Sequence, residues 1–193
     1  MCIPIYVRSQ GAGARVDNVY ISDINIYNCA YGIKTEGSST QSDYFVSVEE
    51  TYNNNVTIEN ITIDSTNYDA VIIGSVENCV VRNCSILNTC FYDEGYTAPI
   101  WLHNCDRVLV ENSEIGGSVN WMDSMTVDFD GHTQNSTYQY IYSHDNMRFV
   151  CNCPYGTGQH GNTIRYCLSV NDNGGRNSLS GIGGEYGLKF YNN

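Results

Sequence analysis

The chain has 193 residues, enough for one domain with a real core, and a hydrophobic content of 41% separates it from disordered sequences. Nine Lys+Arg face 21 Asp+Glu, and the resulting net charge of -12 repels nucleic-acid phosphates and anionic lipid headgroups and disfavours polyanionic glycans. No apolar run approaches the roughly 18 residues of a membrane span, so neither a nucleic acid nor a membrane is an expected partner.

The opening "MCIPIYVRSQGAGAR" is too short and too polar to read as a secretory signal, so any such signal lies outside this chain. From there the predicted elements repeat. "NVYISDINIYN" (18–28), "NVTIENITIDS" (55–65), "NCVVRNCSILN" (78–88) and "RVLVENSEIGG" (107–117) share one form: apolar, any, apolar, any, Asn or Asp, small or apolar, any, Ile or its equivalent. "STYQYIYSHDN" (136–146) and "NTIRYCLSVND" (162–172) follow it more loosely. Taking the second apolar position as marker gives Ile21, Ile58, Val81, Val110, Tyr138 and Ile164, at steps of 37, 23, 29, 28 and 26. A further step of 24 reaches Leu188. Between these segments lie second strands, "YGIKTEG" (31–37), "DAVIIGS" (69–75), "APIWLHN" (98–104), "DSMTVDFDG" (123–131) and "MRFVCNC" (147–153).

Short β-like pieces at a period in the twenties, with no useful helical periodicity, predict stacked repeats. The expected fold is all-β, a right-handed parallel β-helix solenoid of about six to seven coils spanning residues 1–193 as a single domain. The long first step places one loop excursion near 36–55, and "TCFYDEGYTA" places another near 89–98. Neither end reads as a cap, which predicts a fragment whose open ends are available for self-association. The 23 Asn gather at the turns, so Asp23, Asn60, Asn83 and Asn112 should stack there. The Asn-x-Ser/Thr matches at Asn55, Asn60, Asn83 and Asn135 are then structural rather than glycosylated. An odd count of nine Cys without a Cys-x-x-Cys pair reads as buried thiols, and no metal site is expected.

Strand alternation locates the chemistry. With Ile100 and Leu102 inward, Trp101 and His103 point out; one repeat on, Asp128 and Asp130 point out, followed by Arg148 beside inward Phe149. A flat indole suits the CH face of a sugar, and carboxylates and a guanidinium suit its hydroxyls. Glu94 in the second excursion could join them, and His144 and Asp145 are further substrate-binding candidates. Other readings stand beside these: Trp101 covered by the 89–98 loop as a satellite core, Arg148 as a plain ion-pair partner of Asp128, and His144-Asp145-Asn146 as turn chemistry.

The Asn-rich repeats, and the run "VDFDGHTQNSTYQYIYSHDN" followed by "NTIRYCLSVNDNG", resemble the right-handed parallel β-helix superfamily of pectate lyases, polygalacturonases and related secreted bacterial carbohydrate-active proteins. The resemblance implies an extracellular or cell-surface protein with a groove along one strand face, where Asp residues act as acid, base or nucleophile. By position those roles fall to Asp128 and Asp130, with His103 assisting in orientation or proton transfer. The expected function is hydrolysis of a neutral poly- or oligosaccharide, Trp101 serving as sugar platform and Arg148 as positioning group, with no cofactor. The alternatives are a polysaccharide lyase of the pectate-lyase type, which would need calcium held by carboxylates, and a non-catalytic carbohydrate-binding or adhesive solenoid.

Overall fold

The computed structural model of the protein describes residues 3–11, 13–37, 52–92, 95–152, 159–172, 179–180 and 187–193. These residues contain strands and no helix. One sheet has seven strands: β1 (Ile5–Arg8), β4 (Ile33–Glu36), β7 (Val71–Gly74), β10 (Ile100–His103), β12 (Met125–Phe129), β14 (Arg148–Asn152) and β17 (Leu179–Ser180). The other has eleven: β2 (Asp17–Ser22), β3 (Asn25–Cys29), β5 (Asn53–Glu59), β6 (Thr62–Thr66), β8 (Val76–Arg82), β9 (Ser85–Leu87), β11 (Asp106–Gly116), β13 (Thr137–His144), β15 (Thr163–Arg165), β16 (Leu168–Val170) and β18 (Lys189–Tyr191). The chain alternates between the two sheets, and every strand pairing is parallel.

The register follows the sequence markers. Ile21 lies opposite Ile58, Ile58 opposite Val81, Val81 opposite Val110, Val110 opposite Tyr138 and Tyr138 opposite Ile164. The last step differs from expectation: Ile164 pairs with Phe190, not Leu188. Leu188 is apolar and packs partly against the core, but it sits just ahead of the strand, so hydrophobicity alone misplaced the marker by two residues. The second strands all fall into the seven-stranded sheet, where Ile33, Val71, Ile73, Ile100, Leu102, Val127, Phe129 and Val150 turn inward. They meet Ile58, Ile63, Val81, Ile86, Val110, Ile115, Tyr138 and Ile164 of the other sheet in one core. Each such side chain contributes about 1.5–3 kcal/mol on burial.

The Asn-rich columns follow from backbone geometry. Asp23, Asn60, Asn83 and Asn112 have φ of 57°, 56°, 54° and 49°, a left-handed corner that Asn and Asp accept more readily than other non-Gly residues. The same corner recurs five residues earlier at Asn18, Asn55, Asn78 and Arg107, and five later at Asn28, Ser65, Asn88 and Gly117. Side chains bond along the stack, Asn60 Nδ2 to Asp23 Oδ1 at 3.2 Å and Asn83 Nδ2 to Asn60 Oδ1 at 3.4 Å. Asn55 donates likewise to Asn18, and Asn135 to Asp106. Where the column would place a Cβ against an amide, as at Gly117 over Asn88 Oδ1 (2.8 Å), glycine takes the position.

Cys29, Cys79, Cys84, Cys90, Cys105, Cys151 and Cys167 are free thiols, all but Cys29 buried. Of the first excursion, residues 38–51 lie outside the described residues; its flanks, Glu36 and Asn53–Asn55, belong to β4 and β5.

Candidate functional site

The alternation expected around residues 100–103 and 127–130 holds, but it breaks at the start of β12, where Met125 packs with Trp101 and Thr126 Oγ1 meets Ser143 Oγ of the other sheet at 2.5 Å. Ile100, Leu102, Val127 and Phe129 are fully buried in the core, so Trp101, His103, Asp128 and Asp130 leave the opposite face. Leu102 is in register with Phe129, and Asp130 N donates to Leu102 O at 2.8 Å, which sets Asp128 beside Trp101 and Asp130 beside His103. Cys151 follows opposite Asp128.

This face is not the open surface that alternation alone suggests. Residues 95–98 and the connection 117–124 border it. Asn120 joins them, its Nδ2 reaching Tyr92 O (2.8 Å), Gly95 O (3.0 Å) and Thr97 Oγ1 (3.0 Å). Ser124 N donates to Thr97 O at 2.9 Å. What remains is a small cleft, about 260 Å³ when the open solvent at its mouth is included, lined by Asp69, Tyr96, Thr97, Ala98, Trp101, Asp123, Asp128 and Asp130. Asp128 is only 6% exposed and Arg148 9%. Trp101 packs on Ala98, Met125 and Cys151, so the satellite-core reading holds for one side of the indole while the ring also lines the cleft.

Asp69 and Asp123 were not anticipated. Both stand two residues ahead of a strand of the seven-stranded sheet, in "YDAV" and "MDSM", and that shared position was the available signal. Asp69 Oδ1 accepts the Ala98 amide at 2.8 Å, tying residues 95–98 to the neighbouring repeat. Burial raises the Asp69 carboxyl to about 6, against the pull of the Ala98 amide and the Trp101 indole. Burial also raises Asp123 to about 7, with Cys151 and neighbouring acids adding to it and Arg148 opposing. Asp130 is pushed to about 6 by burial, offset in part by a hydrogen bond from the Gly131 amide. Asp128 is held well above the usual carboxylate range by burial and then by Asp130. Close like charges in a low-dielectric site cannot all ionise, so the cleft keeps at least one carboxyl protonated near neutral pH.

His103 stacks on Trp101 with ring centroids 4.9 Å apart and lies flat over Gly74, where a Cβ would meet its Nε2 at 2.2 Å. Burial lowers it to about 4. A neutral imidazole at neutral pH steadies the indole; the expected proton-transfer role does not suit it. Arg148 does not pair with Asp128. It starts β14 opposite Met125, Phe149 and Val150 both enter the core, and its Nη2 donates to Met122 O at 3.2 Å. Its charge acts on Asp123 instead.

His144 and Asp145 are corrected more fully. His144 closes β13 in the eleven-stranded sheet, flanked by Gly116 and Val170, and Asp145 follows it at the turn. β12 and β13 enter different sheets, so these residues do not join the cleft. Glu94 lies outside the described residues.

No family model matches this sequence, and no curated protein is significantly similar to it. Among solved structures, the crystal structure of alginate lyase from Paenibacillus sp. str. FPU-7 is similar at 12% identity with a TM-score of 0.40, over 97% of this chain and 83% of that chain. A likeness of that depth carries no inference about activity.

Proposed function

We propose that the chain is a right-handed parallel β-helix of about six to seven coils whose cleft hydrolyses glycosidic bonds in a glycan without acidic groups. Parallel pairing between segments one sequence repeat apart supports the architecture. The activity rests on one observation: Asp128 near the end of β12 and Asp130 just after it carry carboxyls of different acidity in a cleft lined by an indole. Alternate residues of a strand lie roughly 6.5 Å apart, at the lower edge of the roughly 6.5–9.5 Å separation of inverting glycosidases. Asp128, protonated, gives its proton to the glycosidic oxygen as the bond to the anomeric carbon breaks. Asp130, ionised above about 6, takes a proton from the water that attacks that carbon from the other side. Water adds across the bond, and solvent restores both carboxyls. Trp101 supports the sugar ring, and a secreted or cell-surface location accords with a polymeric substrate.

The test is reducing-end release across a broad glycan panel. Asp128→Asn and Asp130→Asn should each lower kcat, measured at saturating glycan, by about 10²–10⁴-fold. A parent protein that binds glycans and cleaves none is a binding module. A lyase is the second reading, on the ground that the Arg148 guanidinium beside Asp123 is the kind of cation that offsets a uronate charge. It would yield unsaturated, ultraviolet-absorbing products from acidic glycans and lose activity to chelator.

A further inference from the structure

The cleft holds more acid than its neighbours offset. Asp69, Asp123, Asp128 and Asp130 line it together. Two flanking cations offset part of it, Arg148 acting on Asp123 while it donates to Met122 O, and Lys34 acting on Asp69 while it pairs with Glu36 at 3.5 Å. Further cations pair away from the cleft, Arg15 with Asp17, Arg82 with Glu59, and Arg107 with Glu77 and Asp106.

A second observation points to a ligand. Asp128 is more than nine-tenths buried, yet its Oδ1 accepts no hydrogen bond among the described residues, and neither does Oδ1 of Asp130. An unmade bond at a buried acceptor is costly, and a ligand bringing donors would relieve it. A hydroxyl brings one donor and no charge. An ammonium brings three donors and a positive charge. A divalent ion needs six or more oxygens within roughly 2.6 Å, and no three acidic, His or Cys groups among the described residues stand close enough to hold one.

We infer that the site around Asp128 and Asp130 takes the protonated amine of an amino-sugar unit, so that the glycan is a polymer of free-amine sugars. The inference deepens the proposed function and rests on the cleft being the glycan site. One positive charge among four carboxyls leaves the like charges that keep the acid protonated. The groups facing Asp128 are Asp130, Cys151, Asp123 and Asp69, with Tyr138 against it from the other sheet. Arg148 and Lys34 act at Asp123 and Asp69. With carboxyls held partly protonated, an arriving ammonium drives protons out of the cleft.

The experiment is calorimetric titration of the full chain with a short glucosamine oligosaccharide and with its fully N-acetylated counterpart. It is run where the amine carries its proton and in two buffers of different ionisation heat. The amine form should bind at least roughly tenfold tighter and release protons, and Asp128→Asn and Asp130→Asn should each remove most of that preference. Equal or tighter binding of the acetylated form overturns the inference, as does binding of neither. A preference that survives in both variants also overturns it, since it would reflect only attraction to a chain of net charge -12. Cleavage confined to the acetylated form removes the inference and leaves the hydrolase; amine preference without cleavage of either form supports the inference and removes the hydrolase.

Discussion

His103 and His144 occupy the same local frame with opposite chemical results. Each follows an aromatic residue by two positions on a strand and stacks on it, Trp101 at 4.9 Å and Tyr142 at 4.7 Å. Each lies flat over a glycine of the preceding repeat, Gly74 or Gly116. In the cleft, burial takes His103 down to about 4. On the other sheet burial would also lower His144, but Asp145 at 2.9 Å and Glu114 at 3.2 Å outweigh it and raise it. An aromatic-x-His pair over glycine is therefore a packing solution of this stack. Its chemistry is set by what covers it.

The sharpest way to break the comparison is to remove the two glycines. In Gly74→Ala the new Cβ would stand 2.2 Å from Nε2 of His103, whose ring is already stacked on Trp101 on its own strand. A loss of about 2–3 kcal/mol in urea unfolding is expected, as for overpacking. In Gly116→Ala the clash with His144 Cε1 is nearly as close at 2.4 Å, but that ring can swing toward solvent, and the loss should stay under about 1 kcal/mol. Equal losses would show that the cleft is no more confined than the outer face.

Carboxylates extend the contrast, with opposite signs. Burial raises Asp123 to about 7, so between its unfolded value and that pH the folded chain holds a proton that the unfolded chain has shed. Its contribution is complete at low pH and turns against folding as pH rises from about 4 to about 7. Asp123→Asn should therefore stabilise the chain at pH about 8, by about 1–2 kcal/mol after allowing for partial exposure, and the gain should vanish below pH about 4. Asp145 shifts the other way, lowered by bonds from Asn171 and His144. Its contribution is present above its unfolded value and is lost as pH falls, so Asp145→Asn should gain nothing at high pH. Unfolding midpoints across pH check both.

These differences mark how far the sequence was legible. Apolar alternation around Ile100, Leu102, Val127 and Phe129 specifies which side chains leave the core, because a slip of one residue would bury the charged set. The Asn columns were legible for a similar reason, since few residues accept the left-handed corner at Asp23, Asn60 and Asn83. What covers a face was not legible. The bonds of Asn120 to Tyr92, Gly95 and Thr97 close the cleft through residues about a repeat apart, and no local pattern announces them. Without that cover Asp128 and Asp130 read as surface acids, and Asp69 and Asp123 as turn residues. The sheets of His103 and His144 were legible, since segment 98–104 reads as a second strand and segment 136–146 as an Asn-rich repeat, but the shared aromatic-x-His pattern says nothing of the surroundings of either ring.

The smallest effect isolates the electrostatic half of the comparison. In NMR titrations of the imidazole protons, His144 should titrate above its ordinary value and His103 at about 4. The raised His144 contributes stability that is complete below the unfolded His value and is lost as pH rises through its folded value. The lowered His103 costs stability as pH falls from about 6.5 toward 4. Glu114 is largely exposed and bonds only one ring nitrogen, so Glu114→Gln should lower the His144 midpoint only slightly, Asp145 still holding it up. His103 should not move, because Glu114 stands in the other sheet. A shift at both histidines would mean that the two sheets are electrostatically coupled through the core, and the separation of cleft from outer face would fail.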